Sequence, residues 1–146
     1  MDISTAHADA RDEAARIPAL QASLDLLAAP PGPGTIAIYA APRPAPGAAP
    51  GAAALVTIPL AAGAGTIDPP TAQIVLATPI EAQIDADGAG NWARIYDGAG
   101  AWWADASVSN TAGTGEIKLD DGESVAGDAQ LAAGAFARLV SAVLQG

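Results

Sequence analysis

Two periodicities divide the chain. Between residues 5 and 28 the apolar positions recur at helical spacing, with Leu20, Leu24 and Leu27 four and three apart on one stripe. Ser4 or Thr5 can cap the start, and Asp9, Asp12 and Glu13 fall near the positive end of the helix. Pro18 has no amide hydrogen and predicts a kink or a break after Arg16. Pro30-Pro31-Gly32-Pro33-Gly34 then ends the helix.

Beyond that stop the period is two, or the apolar runs are short. Strands are predicted at Thr35–Ala40, Ala53–Leu60, Thr71–Ala77, Ile80–Asp85, Trp92–Tyr96, Ala101–Ser109 and Glu116–Leu119. The clearest pair is the hairpin around Asp97-Gly98-Ala99-Gly100. In it Trp92, Arg94 and Tyr96 share one face, and Ala93 and Ile95 the other. Residues 41–52, APRPAPGAAPGA, cannot be a central strand, because each proline removes a ladder donor. An extended, polyproline-like loop is expected there.

The C-terminal segment reads two ways. Phe136, Leu139, Val140, Val143 and Leu144 make a helical stripe, and propensity favours helix. Residues 131–144 also carry strand-compatible content, and Gly134 weakens a helix. Together these elements predict a mainly β chain: a jelly roll or β-sandwich of about eight antiparallel strands behind an N-terminal α-helix. The expected organisation is a helical arm at residues 1–29 and a β-sandwich, jelly-roll-like domain at 30–146.

Composition narrows the function. Gly32–Pro70 is almost wholly Ala, Gly and Pro with short β-branched runs; its charged residues are Arg43 and Asp68. That is a stretch built to cover, pair and dock. Alanine buries little area, so a thin core and a monomer that relies on a partner are expected. A net charge of −10 argues against nucleic acid and against an anionic membrane surface. It fits a solvated outer face or a basic partner. Cysteine is absent, so neither a disulfide framework nor a thiolate metal site is expected. The N-terminus lacks the apolar core of a secretion signal, and no unbroken apolar run of about 18 residues suggests a membrane span.

Catalytic constellations do not assemble. His7 is the single histidine and sits near the N-terminus, where a solvated side chain is expected. Asp85-x-Asp87 opens like a calcium loop but continues with Ala89 and Tyr96 where ligands are needed, so a turn is expected. Asp120, Asp121 and Glu123 read as a solvated acidic turn. The Gly63-Ala64-Gly65 and Gly98-Ala99-Gly100 runs lack the continuation of a phosphate loop. No cofactor, metal site or enzymatic activity is expected. Trp102 and Trp103 are consecutive, so in a strand they face opposite sides, one toward the core and one as a half-exposed anchor.

Three stretches carry a family resemblance: GTIAIYAAPRP (Gly34–Pro44), NWARIYDGAG (Asn91–Gly100) and LAAGAFARLVSAVL (Leu131–Leu144), in that order behind an Ala-rich helix. The arrangement resembles the capsid cement, or decoration, proteins of tailed bacteriophages, such as those of Bordetella phages. The resemblance implies a jelly roll, homodimers on the outside of the phage head, and contact with the major capsid protein. It implies a strand after Gly134, and it brings no catalytic motif. The expectation is a structural virion protein, assembled in the host cytoplasm, that stabilises joints between capsid subunits. The candidate partner-binding residues are Leu20, Leu24, Leu27, Arg43, Trp102 and Trp103. Other readings are a neck, tail or head-fibre base component, or a carbohydrate-binding β-sandwich module.

Overall fold

The computed structural model describes residues 4–145; the first three residues of the expected arm, and Gly146, lie outside them. One helix, α1 (Thr5–Leu27), precedes eleven strands. These are β1 (Thr35–Tyr39), β2 (Val56–Pro59), β3 (Gly65–Asp68), β4 (Gln73–Leu76), β5 (Ile80–Gln83), β6 (Gly88–Gly90), β7 (Trp92–Tyr96), β8 (Trp102–Asn110), β9 (Ile117–Asp120), β10 (Ala129–Leu131) and β11 (Phe136–Gln145). The expected β class therefore holds, with more strands than the eight read from sequence. The additional β3, β6 and β10 are three or four residues long, too short for alternation to register.

Nine strands form one curled sheet in the order β2-β1-β7-β8-β9-β11-β4-β3, with β5 also paired to β11. β4 and β5 pair successive parts of β11, at Gln73–Val75 and Ile80–Gln83, and act as one strand interrupted at Thr78-Pro79. The curl brings the two flanks together: the Leu55 carbonyl accepts from the amides of Asp85 (2.8 Å) and Ala86 (3.2 Å). The result is a half-barrel, consistent with a β-sandwich or jelly-roll-like fold. β6 and β10 form a separate two-stranded sheet.

One pairing departs from the antiparallel expectation. β8 and β9 run parallel over Val108↔Ile117 to Asn110↔Leu119. A parallel pair normally needs a crossover of a dozen or more residues. Here the overlap is three residues, so the chain need only step back about 10 Å, at 3.3 Å per residue. Buried Asn110 organises that step: its Oδ1 accepts from Gly113 N (3.1 Å), and its Nδ2 donates to the Val125 carbonyl (2.7 Å).

The C-terminal segment is a strand. β11 lies in the middle of the sheet, between β9 on one side and β4 and β5 on the other. Its register against β9 shifts between Leu139 and Ser141, so Ala137 and Leu139 point inward before the shift, and Ala142 and Leu144 after it. The helical stripe read from sequence is thus divided between the two faces, with Leu139 and Leu144 inward and Phe136 and Val143 outward. Gly134, at φ +85°, lies in the turn leading into the strand.

The core is thicker than the alanine content suggests. Ile36, Ile38, Val56, Ile58, Ile95, Ile117, Leu119 and Leu139 are completely enclosed inside the curl. Each such side chain stabilises the fold by about 1.5–3 kcal/mol. Leu20, Leu24 and Leu27 join the same cluster, at 6, 4 and 0 % exposure. α1 is continuous through Pro18. The proline removes the amide that would bond to Ala14, but Ala14 is exposed, so water can serve its carbonyl.

The end of α1 is built into the β-domain. Its final carbonyls need partners, and two come from outside the helix: Gly98 N donates to Leu26 O (3.0 Å) and Gly34 N to Leu27 O (2.7 Å), while one turn earlier Trp103 Nε1 donates to Ser23 O (3.1 Å). Gly98 is required there, since a Cβ would lie 1.8 Å from the Ala29 carbonyl oxygen. Ser4 caps the other end by accepting from His7 N (3.3 Å). Apart from half-buried Ala8, residues 5–16 are exposed. An arm boundary at residue 29 thus does not match the packing: the free part of the helix ends near Arg16, and the part carrying the leucine stripe is core.

Candidate functional site: the outer face of β1, β7 and β8

Alternation places Ala37 and Tyr39 of β1, Trp92, Arg94 and Tyr96 of β7, and Asp105 and Trp102 of β8 on the outside of the sheet. The ladders align them in rows: Tyr39 with Trp92, Ala37 with Arg94 and Asp105, and Tyr96 with Trp102. The β7–β8 register steps over Trp103, so Trp102 faces outward and Trp103 turns toward the core and α1. The two indoles do face opposite sides, as expected. Trp92, by the parity that aligns it with Arg94, belongs to a small outer cluster with Ala37 and Tyr39, not to the main core.

The outer cluster is stacked and ionic at once. The Tyr39 and Trp92 rings lie 4.5 Å apart at 16°. The Arg94 guanidinium is 5.7 Å from the Trp92 ring and 5.9 Å from that of Trp102, within cation–π range of both. Arg94 Nε and Nη2 donate to the two carboxylate oxygens of Asp105 at 2.7 and 2.9 Å. Both side chains are almost fully enclosed, at 4 and 1 % exposure.

The Pro-rich segment supplies the cover. Arg94 Nη1 donates to the Ala48 carbonyl (2.6 Å), Trp92 Nε1 to that of Ala40 (2.8 Å), and Arg43 Nη2 to that of Asp105 (2.8 Å). A Cβ at Gly47 would stand 3.6 Å from the Trp102 ring, which marks how closely the loop approaches the indole. Residues 41–52 are therefore fastened over their own sheet. Prolines suit this role, because they restrict the free chain before it docks.

Electrostatics follow the geometry. The Arg94 fork holds the Asp105 carboxyl below the usual carboxylate range, against the opposing effect of burial; Trp102 Nε1 (3.2 Å) and the charge of Arg43 act in the same direction as Arg94. Asp105 in turn raises Arg94. Burial, helped by the neighbouring Tyr96 hydroxyl, pushes the Tyr39 phenol up to about 12. Arg94 and the Asp105 carboxylate spend their hydrogen bonds inside the chain. They lock the loop and leave Trp102, 46 % exposed, as the large apolar side chain showing on this face.

The same residues close a sheet edge. β9 joins β8 only from Val108 onward, so Trp102–Ser107 has no strand on that side. Arg43 takes the Asp105 carbonyl, and Glu116 Oε2 accepts from Ser107 N (2.8 Å) and Ser107 Oγ (3.0 Å). Open edges invite strand pairing with other chains, and here side chains occupy two of the positions a strand would use.

Of the six candidate residues, two meet at this face: Arg43 and Trp102. Leu20, Leu24 and Leu27 are withdrawn into the core and offer a partner no surface. Trp103 is half-buried against the core, with its indole nitrogen bonded to α1. Tyr39, Arg94 and Asp105 are central to the face and were not candidates from sequence. The signal available for them was the hairpin register, which sets Asp105 opposite Arg94.

The acidic turns are also explained locally. Asp87 Oδ1 accepts from Ala133 N (2.8 Å), and Asp121 accepts from Glu123 N (3.0 Å) and Gln130 N (2.9 Å). Among the described residues, no helix is long and apolar enough to cross a membrane. No protein-family model, curated protein or solved structure matches the chain.

Proposed function

We propose that this chain is a non-enzymatic structural protein that docks on the outside of a tailed-phage head, as a homodimer, and stabilises contacts between major capsid protein subunits. The observation that carries the reading is the locked face. A half-exposed indole stands beside a Pro-rich segment that Arg94, Asp105 and Arg43 already hold in place. Preorganisation of this kind reduces the ordering cost of binding, and Trp is the side chain most often found at the centre of docking surfaces. The acidic turns at Asp85–Asp87 and Asp120–Glu123 suit a face turned to solvent. The resemblance of the three sequence stretches to cement proteins selects the phage head among possible partners.

The test uses intact phage particles purified on a density gradient and heads stripped of decoration. The protein is expected on the particles, and the purified chain is expected to rebind stripped heads and to sediment as a dimer. Trp102→Ala should weaken rebinding about 30-fold or more, in the range of an interface hot spot. A folded wild-type chain that ignores heads, yet whose Trp emission responds to a glycan titration, would replace this reading with the carbohydrate-binding one.

A further inference from the structure

We infer that the outer face of β5, β11 and β9 forms a second docking cleft, whose occupant is a basic peptide segment, an Arg- or Lys-bearing stretch of a protein partner. This site is separate from Trp102 and does not depend on the phage reading. The ladders set Arg138 of β11 directly between Glu81 of β5 and Asp120 of β9. Phe136, two residues earlier on the same outward parity, is 66 % exposed. Beside them lies a cleft of about 520 Å³ that combines this row with Asp121 and with apolar wall from Leu131.

The charges do not balance within the cleft. Three carboxylates, Glu81, Asp120 and Asp121, face one cation. Arg138 reaches Glu81 at 3.6 Å, and both side chains are about half exposed, so it is loosely held. Asp121 is pinned by the two amides it accepts from, and Asp120 Oδ1 accepts from Gly122 N (3.2 Å). Asp120 and Asp121 are therefore fixed in place with acceptor capacity to spare, while Glu81 stays mobile beside Arg138.

An exposed phenyl ring beside surplus fixed carboxylates suits one chemistry. The methylene stem of Lys or Arg covers apolar wall, and its cation meets both the ring face and the acids. An acidic segment would meet a net negative cleft. A purely apolar one would strip water from carboxylates without replacing it. The overall charge of −10 adds long-range attraction for a basic partner.

The experiment titrates the isotope-labelled full chain with an acetylated, amidated Gly-Arg-Gly-Arg-Gly-Arg peptide at low salt and follows backbone amide shifts by NMR. Shifts are expected at Asp120, Asp121 and Phe136–Arg138. Phe136→Ala should weaken binding about 2–5-fold, the size of an exposed cation–π contact, and Asp120→Asn with Asp121→Asn about 3-fold or more. Asp9→Asn with Asp12→Asn, on the exposed part of α1, changes net charge equally and should leave affinity within about 2-fold. Four results would overturn the proposal: shifts spread elsewhere, equal loss in the α1 control, no effect of Phe136→Ala, or equal binding of the Gly-Glu counterpart. The phage-head assay is independent, so this site can fail while that reading stands, and the reverse.

Discussion

Removing the Arg94 guanidinium tests whether the ion pair locks the Pro-rich segment. In Arg94→Met the methylene bulk stays, but Asp105, at 1 % side-chain exposure, keeps its charge and loses both fork bonds. Its side chain is left with the single donor at Trp102 Nε1 (3.2 Å). Breaking a buried pair from one side costs about 3–5 kcal/mol, because the remaining charge is dehydrated and unpaired. A small domain has about 5–15 kcal/mol in total, so the variant should fold with a much lower urea midpoint. Asp105→Asn strands the cation instead and should also be costly. The double variant strands neither charge, so its cost should fall short of the sum by about 2 kcal/mol or more, within the range of coupled neighbours. Trp emission during urea unfolding reports stability, and limited proteolysis at residues 41–52 reports release of the loop. Single costs that add to within about 0.5 kcal/mol, or an Arg94→Met loop as resistant to protease as the parent, would refute the lock.

The same site predicts two pH limits. Asp105 has a folded pKa below its unfolded value of about 3.9, so its stabilisation is complete above about pH 4 and is lost as pH falls through the depressed folded value; Asp105→Asn should flatten the acid limb of the stability profile, and an unchanged limb would contradict the assignment. Tyr39 is raised to about 12 against an unfolded value of about 10, so stability is intact below about pH 10 and declines as pH rises toward 12, a loss that Tyr39→Phe should abolish in alkaline unfolding curves. Arg43→Ala uncovers the Asp105 carbonyl on the β8 edge; sedimentation velocity should show larger species than the parent, and an unchanged distribution would mean the edge needs no cover.

What was legible in the chain was local. The helix stop at Pro30–Gly34, the Asp-Gly hairpin and the outward parity of Trp92, Arg94 and Tyr96 all rest on backbone rules that act within a few residues. β7 matches its predicted range at both ends, and β8 lies within a residue. β11 was not legible because its state is decided by neighbours far away in the chain. β4, β5 and β9 all pair with it, and the residues of its apparent helical stripe end on both faces of the sheet, Leu139 and Leu144 inward and Phe136 outward. Ladder bonds on both flanks and burial on one face outweigh a helix preference that is worth only tenths of a kcal/mol per residue.

The candidate site shows the same division more sharply. Proline content foretold that residues 41–52 would be extended and outside the ladders, and it gives no direction for the loop to turn. That direction is set by Arg94, about 50 residues later. An arginine on an aromatic strand face must find an anion and further acceptors if it is to be covered. Asp105 supplies the anion from the adjacent strand, and the Ala48 carbonyl supplies another acceptor from the loop. Covering the pair removes water from it, which by itself disfavours the carboxylate; the Arg94 fork outweighs that and holds Asp105 ionised. The cover and the charge pair thus depend on each other: without the loop, water would screen the pair to the worth of an ordinary surface contact, and without the pair, a segment with few side chains to bury would have little to hold it down. Trp102 stands at the margin of this arrangement, with its nitrogen tied to Asp105 and its ring half exposed, so disturbing the buried pair should also loosen the residue best placed to meet a partner.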